Sequence, residues 1–422
     1  MKNICILLSI MFIIGFNACQ EENRFEISGN DKIAPGPPKY ISSKSLVGGA
    51  RIFYNIPDEE DVLSINAEYV NKSGVKSIFS ASYFLDSIDV MGIADTLEHV
   101  VNLYSVDRAG NTSVPVPVTV KASESALQNV SESIQVLAGF NSIIISWVNE
   151  LEEPVNVYID MTFNKAGKNN EISWVLTSNK INNREIVDNI NLSENESLSV
   201  NIHIGDSYGN RSEVIKMGQI HVMSDEILPK DFWTIPNTND SIAGIPMCFG
   251  NAYEAKAVNV IDGITSRGEI INIMHTAGRG RTGNSVDGNT PWNFIIDLGD
   301  YYELSRIVTN QRHDLNTTTY DPNERGIYYT GENVNQYNMY YLNDETGEWE
   351  FISQHTIEVP SGLSSLEMAR LGAAGDMALM YPEVPRYTKP TRWFRYEAIS
   401  GFGSTPLVLS EITLYGRKAT IQ

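Results

Sequence analysis

The chain is 422 residues long, which at roughly 150 residues per domain suggests about three domains. Hydrophobic residues make up 42% and charged residues 20%, and the formal net charge is −21; this balance excludes a disordered acidic tail, a membrane-embedded bundle and the basic footprint of a nucleic-acid binder. Three cysteines, Cys5, Cys19 and Cys248, are too few for a disulfide scaffold, a cysteine-rich zinc module or an iron–sulfur site.

At the start of the chain, Lys2 precedes an apolar run from Ile4 to Phe16. It is shorter than the ~20 residues a bilayer span needs but suits the core of a signal peptide. The segment Phe16-Asn17-Ala18-Cys19 resembles a bacterial lipobox, where cleavage precedes the cysteine and its thiol is acylated. The Gln20-Glu21-Glu22-Asn23 stretch that follows resembles the acidic export signal of outer-surface lipoproteins in the Bacteroidetes group. The resemblance implies a signal peptide over 1–18, lipidation at Cys19, and an outer-membrane protein held by its lipid and facing outward. A secreted protein cut near Ala18 is the alternative. Cys248 is then left as an unpaired thiol, read as a small buried hydrophobe.

Residues 19–38 form a polar spacer ending in Ala34-Pro35-Gly36-Pro37-Pro38, a stiff and extended composition. Over the next two hundred residues, short Val-, Ile-, Tyr- and Thr-rich runs alternate with turn residues: Arg51 to Asn55, Ser64 to Val70, Val100 to Val106, Val114 to Val120, Ser142 to Val148 and Val155 to Ile159. That pattern predicts β-sandwiches. Asp107-Arg-Ala-Gly-Asn111-Thr-Ser113 and Asp206-Ser-Tyr-Gly-Asn210-Arg-Ser212 repeat the pattern D-x-x-G-N-x-S, about 100 residues apart, the length of one sandwich domain. Each follows a strand and is read as a hairpin turn, with Gly-Asn supplying positive φ and the Asp and Ser side chains bonding the turn backbone. A calcium loop is the sharper reading, but the further carboxylates of an EF-hand are missing. Trp147 shares a strand face with Ile143 and Ile145 and is assigned to a core.

Gly48-Gly49-Ala50-Arg51-Ile52 and the two D-x-x-G-N-x-S segments carry a resemblance to fibronectin type III-like domains. More closely, they are similar to two uncharacterised domain families found in tandem in Bacteroidetes surface lipoproteins. The implied domains are 39–122 and 123–222, with a linker at 223–231.

Beyond the linker come Ala257 to Gly263, Pro291-Trp292-Asn-Phe-Ile-Ile-Asp297-Leu298-Gly299, Leu304 to Thr309, Tyr337 to Leu342, Thr391-Arg-Trp-Phe-Arg395-Tyr and Leu409-Ser-Glu411-Ile-Thr-Leu-Tyr415-Gly416. In this order they resemble a discoidin, or coagulation factor 5/8 type C, domain over 232–418, a galactose-binding-like jelly-roll of eight strands, leaving a tail at 419–422. The expected fold class is therefore all-β: two fibronectin-III-like β-sandwiches followed by a discoidin-like jelly-roll β-sandwich.

Loops at one end of such a sandwich are where ligands bind, because rigid strands position variable connections. A sugar site wants an aromatic platform beside groups that exchange planar hydrogen bonds with hydroxyls. The candidates are His275, Arg279 and Arg281 in one loop, Arg312, His313, Tyr320, Arg325 and Tyr328 in a second, and Phe402 as an exposed apolar tip between two glycines. The bland alternative is that these arginines pair with local carboxylates and keep long loops soluble. The resemblance also implies a structural calcium near Asp262 and Glu411, against the reading of Asp262-Gly263 as an ordinary turn. No other cofactor is expected.

Gly278 to Gly283 matches G-x-G-x-x-G, but neither a leading parallel strand nor a following helix is expected there, so the dinucleotide reading is rejected. No H-E-x-x-H, G-x-S-x-G or Walker A sequence occurs, and no enzyme is expected. The expected function is a surface-anchored glycan-binding protein accessory to polysaccharide utilisation. Its partners would be a polysaccharide or glycoconjugate glycan and an outer-membrane glycan transporter complex, with no nucleic acid and with membrane contact through the lipid anchor alone. The alternative is a protein–protein interaction or adhesion scaffold without a sugar site.

Overall fold

The computed structural model describes residues 31–165, 167–190, 192–193, 196–237, 240–246, 255–265, 272–276, 292–313, 328–403 and 407–420. The molecule is all-β, built from antiparallel sheets around three large hydrophobic cores. Among the described residues no helix is long and apolar enough to cross a membrane.

The first core lies between a sheet of Lys39–Leu46, Gly49–Asn55 and Ser87–Met91 and a sheet of Lys76–Ser82, Val62–Val70, Glu98–Asp107 and Val116–Lys121. Strand period two explains the sorting: Ile65, Ala67 and Tyr69 point inward while Asn66 and Glu68 alternate with them on the wetter face. Fully buried Ile52, Val90, Val101 and Leu103 each contribute about 1.5–3 kcal/mol of hydrophobic stabilisation.

The second core repeats the plan with Gln135–Ala138, Ile143–Val148 and Asn182–Val187 against Lys168–Ser178, Val155–Lys165, Leu198–Asp206 and Ile215–Ile220. Trp147 is buried in it. A helix the periodicity did not announce, Ala126–Ser133, also joins this core through Ala126, Leu127 and Val130. Eight residues make little more than two turns, too short for a periodic signature. Its start is set by Ser125, whose Oγ accepts from Gln128 N at 3.2 Å and donates to Ala94 O at 2.7 Å.

The two D-x-x-G-N-x-S segments close on themselves in the same way. Asn111 N and Nδ2 each donate to the Asp107 carboxylate at 2.8 Å, and Asn210 donates to Asp206 at 2.9 and 2.8 Å. Gly110 and Gly209 take positive φ. The same asparagines also reach outward. Asn111 Nδ2 donates to Asp31 O at 3.1 Å, fixing the incoming chain, while Asn210 Nδ2 donates to Gly92 O at 2.9 Å, fixing the second sandwich to the first. Tyr208 lies over Gly92, where an added Cβ would fall 2.6 Å from Tyr208 Cγ, and its carbonyl accepts from Asn71 Nδ2 at 3.0 Å. Each repeat is thus a turn and a clamp. Asn210→Ala should strand a buried carbonyl and cost about 1–3 kcal/mol, read as a lower urea midpoint with an unchanged far-ultraviolet spectrum.

The third core is covered by a seven-stranded sheet in the order Glu226–Ile227, Glu411–Lys418, Trp292–Asn310, Thr391–Gly401, Val334–Asn343, Glu348–Thr356, with Asp376–Leu379 also on Trp292–Asn310. The Trp292–Gly299 and Leu304–Thr309 segments of the sequence belong to one 19-residue strand, Trp292–Asn310, bent where its register breaks between Asp297 and Tyr302. Gly299 at positive φ, with its N–H on Asp297 Oδ1 at 2.9 Å, makes that bend. Before it the strand pairs with Thr391–Gly401, and after it with Glu411–Lys418. Trp292, Phe294, Tyr337 and Tyr396 fill the interior, the rings of Tyr337 and Tyr396 stacked at 4.4 Å. Trp233 and Trp292 belong to this core, and Trp349 and Trp393 pack against it from partly buried positions.

The stretch read as a linker is held along its length. Glu226–Ile227 adds a strand edge to Glu411–Lys418, and the Asp225 carboxylate, fully buried, takes both Arg306 Nε and Nη2 at 2.8 Å and Ser305 Oγ at 2.6 Å. Asn141 Nδ2 reaches the same carboxylate at 2.9 Å from the second sandwich. Around it, Phe140, Ile144 and Leu379 form a small separate apolar cluster, with Tyr387 set edge-on to Phe140 and donating its hydroxyl to Ser224 O.

Candidate binding site on the loop end of the third sheet

Strand registers place the candidate residues at one end of the third sheet. Trp292 pairs with Ala398, Val334 with Gly401 and Asn310 with Glu411, so the connections beyond these positions leave from the same edge. The Asp225–Arg306 junction lies back along the sheet from that edge, where Arg306 pairs with Tyr415 and Glu226 with Gly416.

Of the nine candidate binding residues, Arg279, Arg281, Tyr320 and Arg325 lie outside the described residues. His275, Arg312, His313, Tyr328 and Phe402 are placed, and three of them are more buried than an exposed binding loop would have them. His275, on a two-residue strand paired with Val408–Leu409, is 5% exposed. Its Nδ1 lies 2.7 Å from Thr276 O; a carbonyl only accepts, so Nδ1 carries the hydrogen and Nε2 faces the Glu332 carboxylate at 3.5 Å. Arg312 Nη1 approaches the same Glu332 oxygen at 3.9 Å. Glu332, more than a third exposed, thus gathers two of the candidates around one carboxylate.

Asn333 makes that meeting possible. Its side chain bridges Arg312, accepting from Arg312 N at 2.7 Å and donating to Arg312 O at 3.0 Å, as a neighbouring strand would. Backbone bonds from Val408 N to Glu332 O at 2.8 Å and from Phe402 N to Asn333 O at 3.1 Å bind the third connection to the same segment. Gln311 Oε1 accepts from Tyr329 N at 2.5 Å.

The aromatic residues divide. Tyr328 is buried, seated over Gly372 of the helix Ser365–Ala374 and stacked at 4.4 Å on His313, itself 5% exposed. Burial raises the Tyr328 pKa above the usual phenol value, so the ring stays neutral. His313 and Tyr328 are accordingly supports beneath the surface. Phe402 is half-buried, its ring meeting Tyr329 edge-on at 6.1 Å, so what it presents outward is a rim and not a free tip.

Glu332, Asn333 and Gln311 were not singled out from the sequence. Glu332 is one of 52 acidic residues, and nothing local distinguishes it. Asn333 just before a strand carried a faint signal, since a buried Asn needs partners and commonly finds them in backbone.

At the residues expected to hold calcium, Glu411 is fully buried and its Oε2 accepts from Gly263 N at 2.9 Å. Its other oxygen takes the Lys230 ammonium, which also donates to Ile412 O at 2.7 Å. Asp262 is exposed, its Oδ1 turned to Ile264 N at 2.8 Å. Burial pushes Glu411 up to about 7, an effect the Lys230 ion pair offsets only in part. Elsewhere, oxygens of Asp31, Asp61 and Asp107 lie within 4.8 Å of one another, whereas Asp206 in the second repeat has no such group among the described residues.

Two family models match the chain. Residues 35–122 match one described as "Domain of unknown function (DUF4959)" and residues 271–416 a second described as "Domain of unknown function". No curated protein matches. Similar solved structures include a SusE-like protein, 16% identical over 69% of this chain and 98% of its own, TM-score 0.35. Another is a two-domain fibronectin type III segment of chicken tenascin, 17% identical over 44% of this chain and 99% of its own, TM-score 0.22. A third is a GH31 CBM32-2 module solved bound to GalNAc, 12% identical over 44% of this chain and 97% of its own, TM-score 0.27. The chain thus resembles described families in two stretches, each described as a domain of unknown function.

Proposed function

We propose that this is a lipid-anchored outer-membrane surface protein, acylated at Cys19, that binds a glycan at the loop end of its third sheet and passes it to a polysaccharide-uptake system. The observation that carries the reading is the meeting of Glu332, His275 and Arg312 beside the Phe402 rim. A sugar hydroxyl both donates and accepts, so the exposed Glu332 carboxylate and the Arg312 guanidinium beside it can hold it from both sides, with buried His275 backing the carboxylate. The apolar C–H face of the sugar would lie against the Phe402 rim. Arg279 and Arg281 are proposed as further contacts and a structural calcium near Asp262 as a support. No hydrolytic step is assigned.

The test is a binding screen of the purified protein against plant, host and microbial glycans, with calcium and then with chelator. Glu332→Gln and Arg312→Ala should each weaken a saturable hit by about 10- to 100-fold, the loss of a hydrogen bond to a charged group. Phe402→Ala should weaken it less. A blank across the panel, with a protein partner captured equally by wild type and these variants, overturns the sugar reading in favour of an adhesion scaffold.

A further inference from the structure

We propose that the chain-entry end of the first sandwich is a bilayer-contacting surface whose Tyr83-Phe84-Leu85 tip dips among lipid headgroups and holds the protein upright on its anchor. The inference rests on the lipid-anchor part of the proposed function and extends it from a tether to a seat.

Strand directions define that end. Lys39 pairs with Asn55, Val62 with Asp107, Ser64 with Ser82 and Phe53 with Ser87, so the first sandwich's connections at 56–61, 83–86 and 108–115 leave together. Residues 31–33 lie there too, held by Asn111. The second sandwich docks on the opposite end, at Gly92 and Asn71.

This end exposes large apolar side chains among its carboxylates. Phe84 is 77% exposed, Ile33 79% and Val114 71%, joined by Leu85, Leu63 and Ile41 at half exposure or more. Exposed apolar side chains gathered on one face mark a contact surface. The Tyr83–Phe84–Leu85 tip is built and not loose: Tyr83 and Phe84 pack at 3.9 Å, Phe84 N bonds Ser82 Oγ at 3.3 Å, and Leu85 N bonds Ser82 O at 3.0 Å. Aromatic side chains with one wet and one apolar side favour the headgroup level of a bilayer.

The length of chain argues for the occupant. From Cys19 to Asp31 the backbone can reach at most ~40 Å at ~3.3–3.6 Å per residue, so a lipid on Cys19 holds this end within that distance of the membrane. The neighbouring Asp58, Glu59 and Glu60 are exposed. Their carboxylates stay in water, which limits entry to the projecting tips and favours a zwitterionic over an anionic surface.

The experiment uses the full acylated chain in phosphatidylcholine vesicles, in a Cys248→Ser background. An environment-sensitive fluorophore is attached at Leu85→Cys or, as control, at exposed Glu358→Cys. Acylation is checked first by mass spectrometry. The expected result is a blue-shifted emission at position 85, quenched by shallow spin-labelled lipid, with position 358 unshifted and unquenched. Acylated protein with position 85 as wet as 358 overturns the seat and leaves the anchor standing. A shielded but lipid-unquenched position 85 overturns it in favour of a protein neighbour. An unmodified Cys19 overturns the anchor, and the seat with it.

Discussion

Asp225→Ala should destabilise the chain by about 3–5 kcal/mol, the cost of leaving a partner charge without its counter-ion in a desolvated site. The Asp225 side chain is fully buried and that of Arg306 less than a fifth exposed, and Ser305 and Asn141 bond the same carboxylate. Arg306 also lies over the Tyr415 ring at 4.1 Å, so it cannot simply swing out to water without losing that contact. Because the carboxylate joins residues from both the second and third cores, the loss should divide one cooperative transition into two, seen by calorimetry. Asp225→Asn keeps the shape and some hydrogen bonds and should recover part of the loss. If Asp225→Ala melts as wild type does, the junction contributes nothing to the folded state.

Lys230→Met should produce a second large effect, one that depends on pH. At pH 8 the buried Glu411 must then either hold its charge without the ammonium or take up a proton against the bulk pH, a loss of about 3 kcal/mol or more. Glu411 already sits at about 7 in the folded chain, above its ordinary value, and removing Lys230 pushes it higher. The sign follows. Below the folded value the native state binds a proton that the unfolded chain gives up down to ~4.3, so stability grows as pH falls through that window. A neutral carboxyl tolerates burial, and Gly263 N remains as its partner. The gap between Lys230→Met and wild type should therefore narrow from pH 8 to pH 5, measured by urea midpoints. A gap that stays constant across that range would mean that Glu411 holds the same charge throughout.

What the sequence determined by itself was the class of structure. Alternation over Ser64–Val70 and Val100–Val106, with turn residues between, leaves antiparallel strands as the one arrangement that buries one face and wets the other. The repeated Asp and Asn of D-x-x-G-N-x-S named their own turns, because a side chain that bonds its own backbone is a local fact. Local facts end at the turn. That Asn210 would also seize Gly92 O, more than a hundred residues away, depends on how two sandwiches meet, and only the tertiary structure decided it.

The same division runs through the candidate site. Sequence placed His275, Arg312, His313, Tyr328 and Phe402 on loops, and their residue types suggested a ligand. Burial then separated them: Gly372 lets Tyr328 lie flat on a helix, His313 stacks beneath, and the surface is left to Arg312, Phe402 and an unremarked Glu332. Likewise the charged stretch at 223–231 reads as a linker by composition, yet the Glu226–Ile227 strand and the ion pairs of Asp225 and Lys230 tie it into the third sheet. A lysine or aspartate looks solvated until a partner of opposite charge is brought to it from 80 or more positions along the chain. Which partner arrives is set by strand order and register, which composition does not encode.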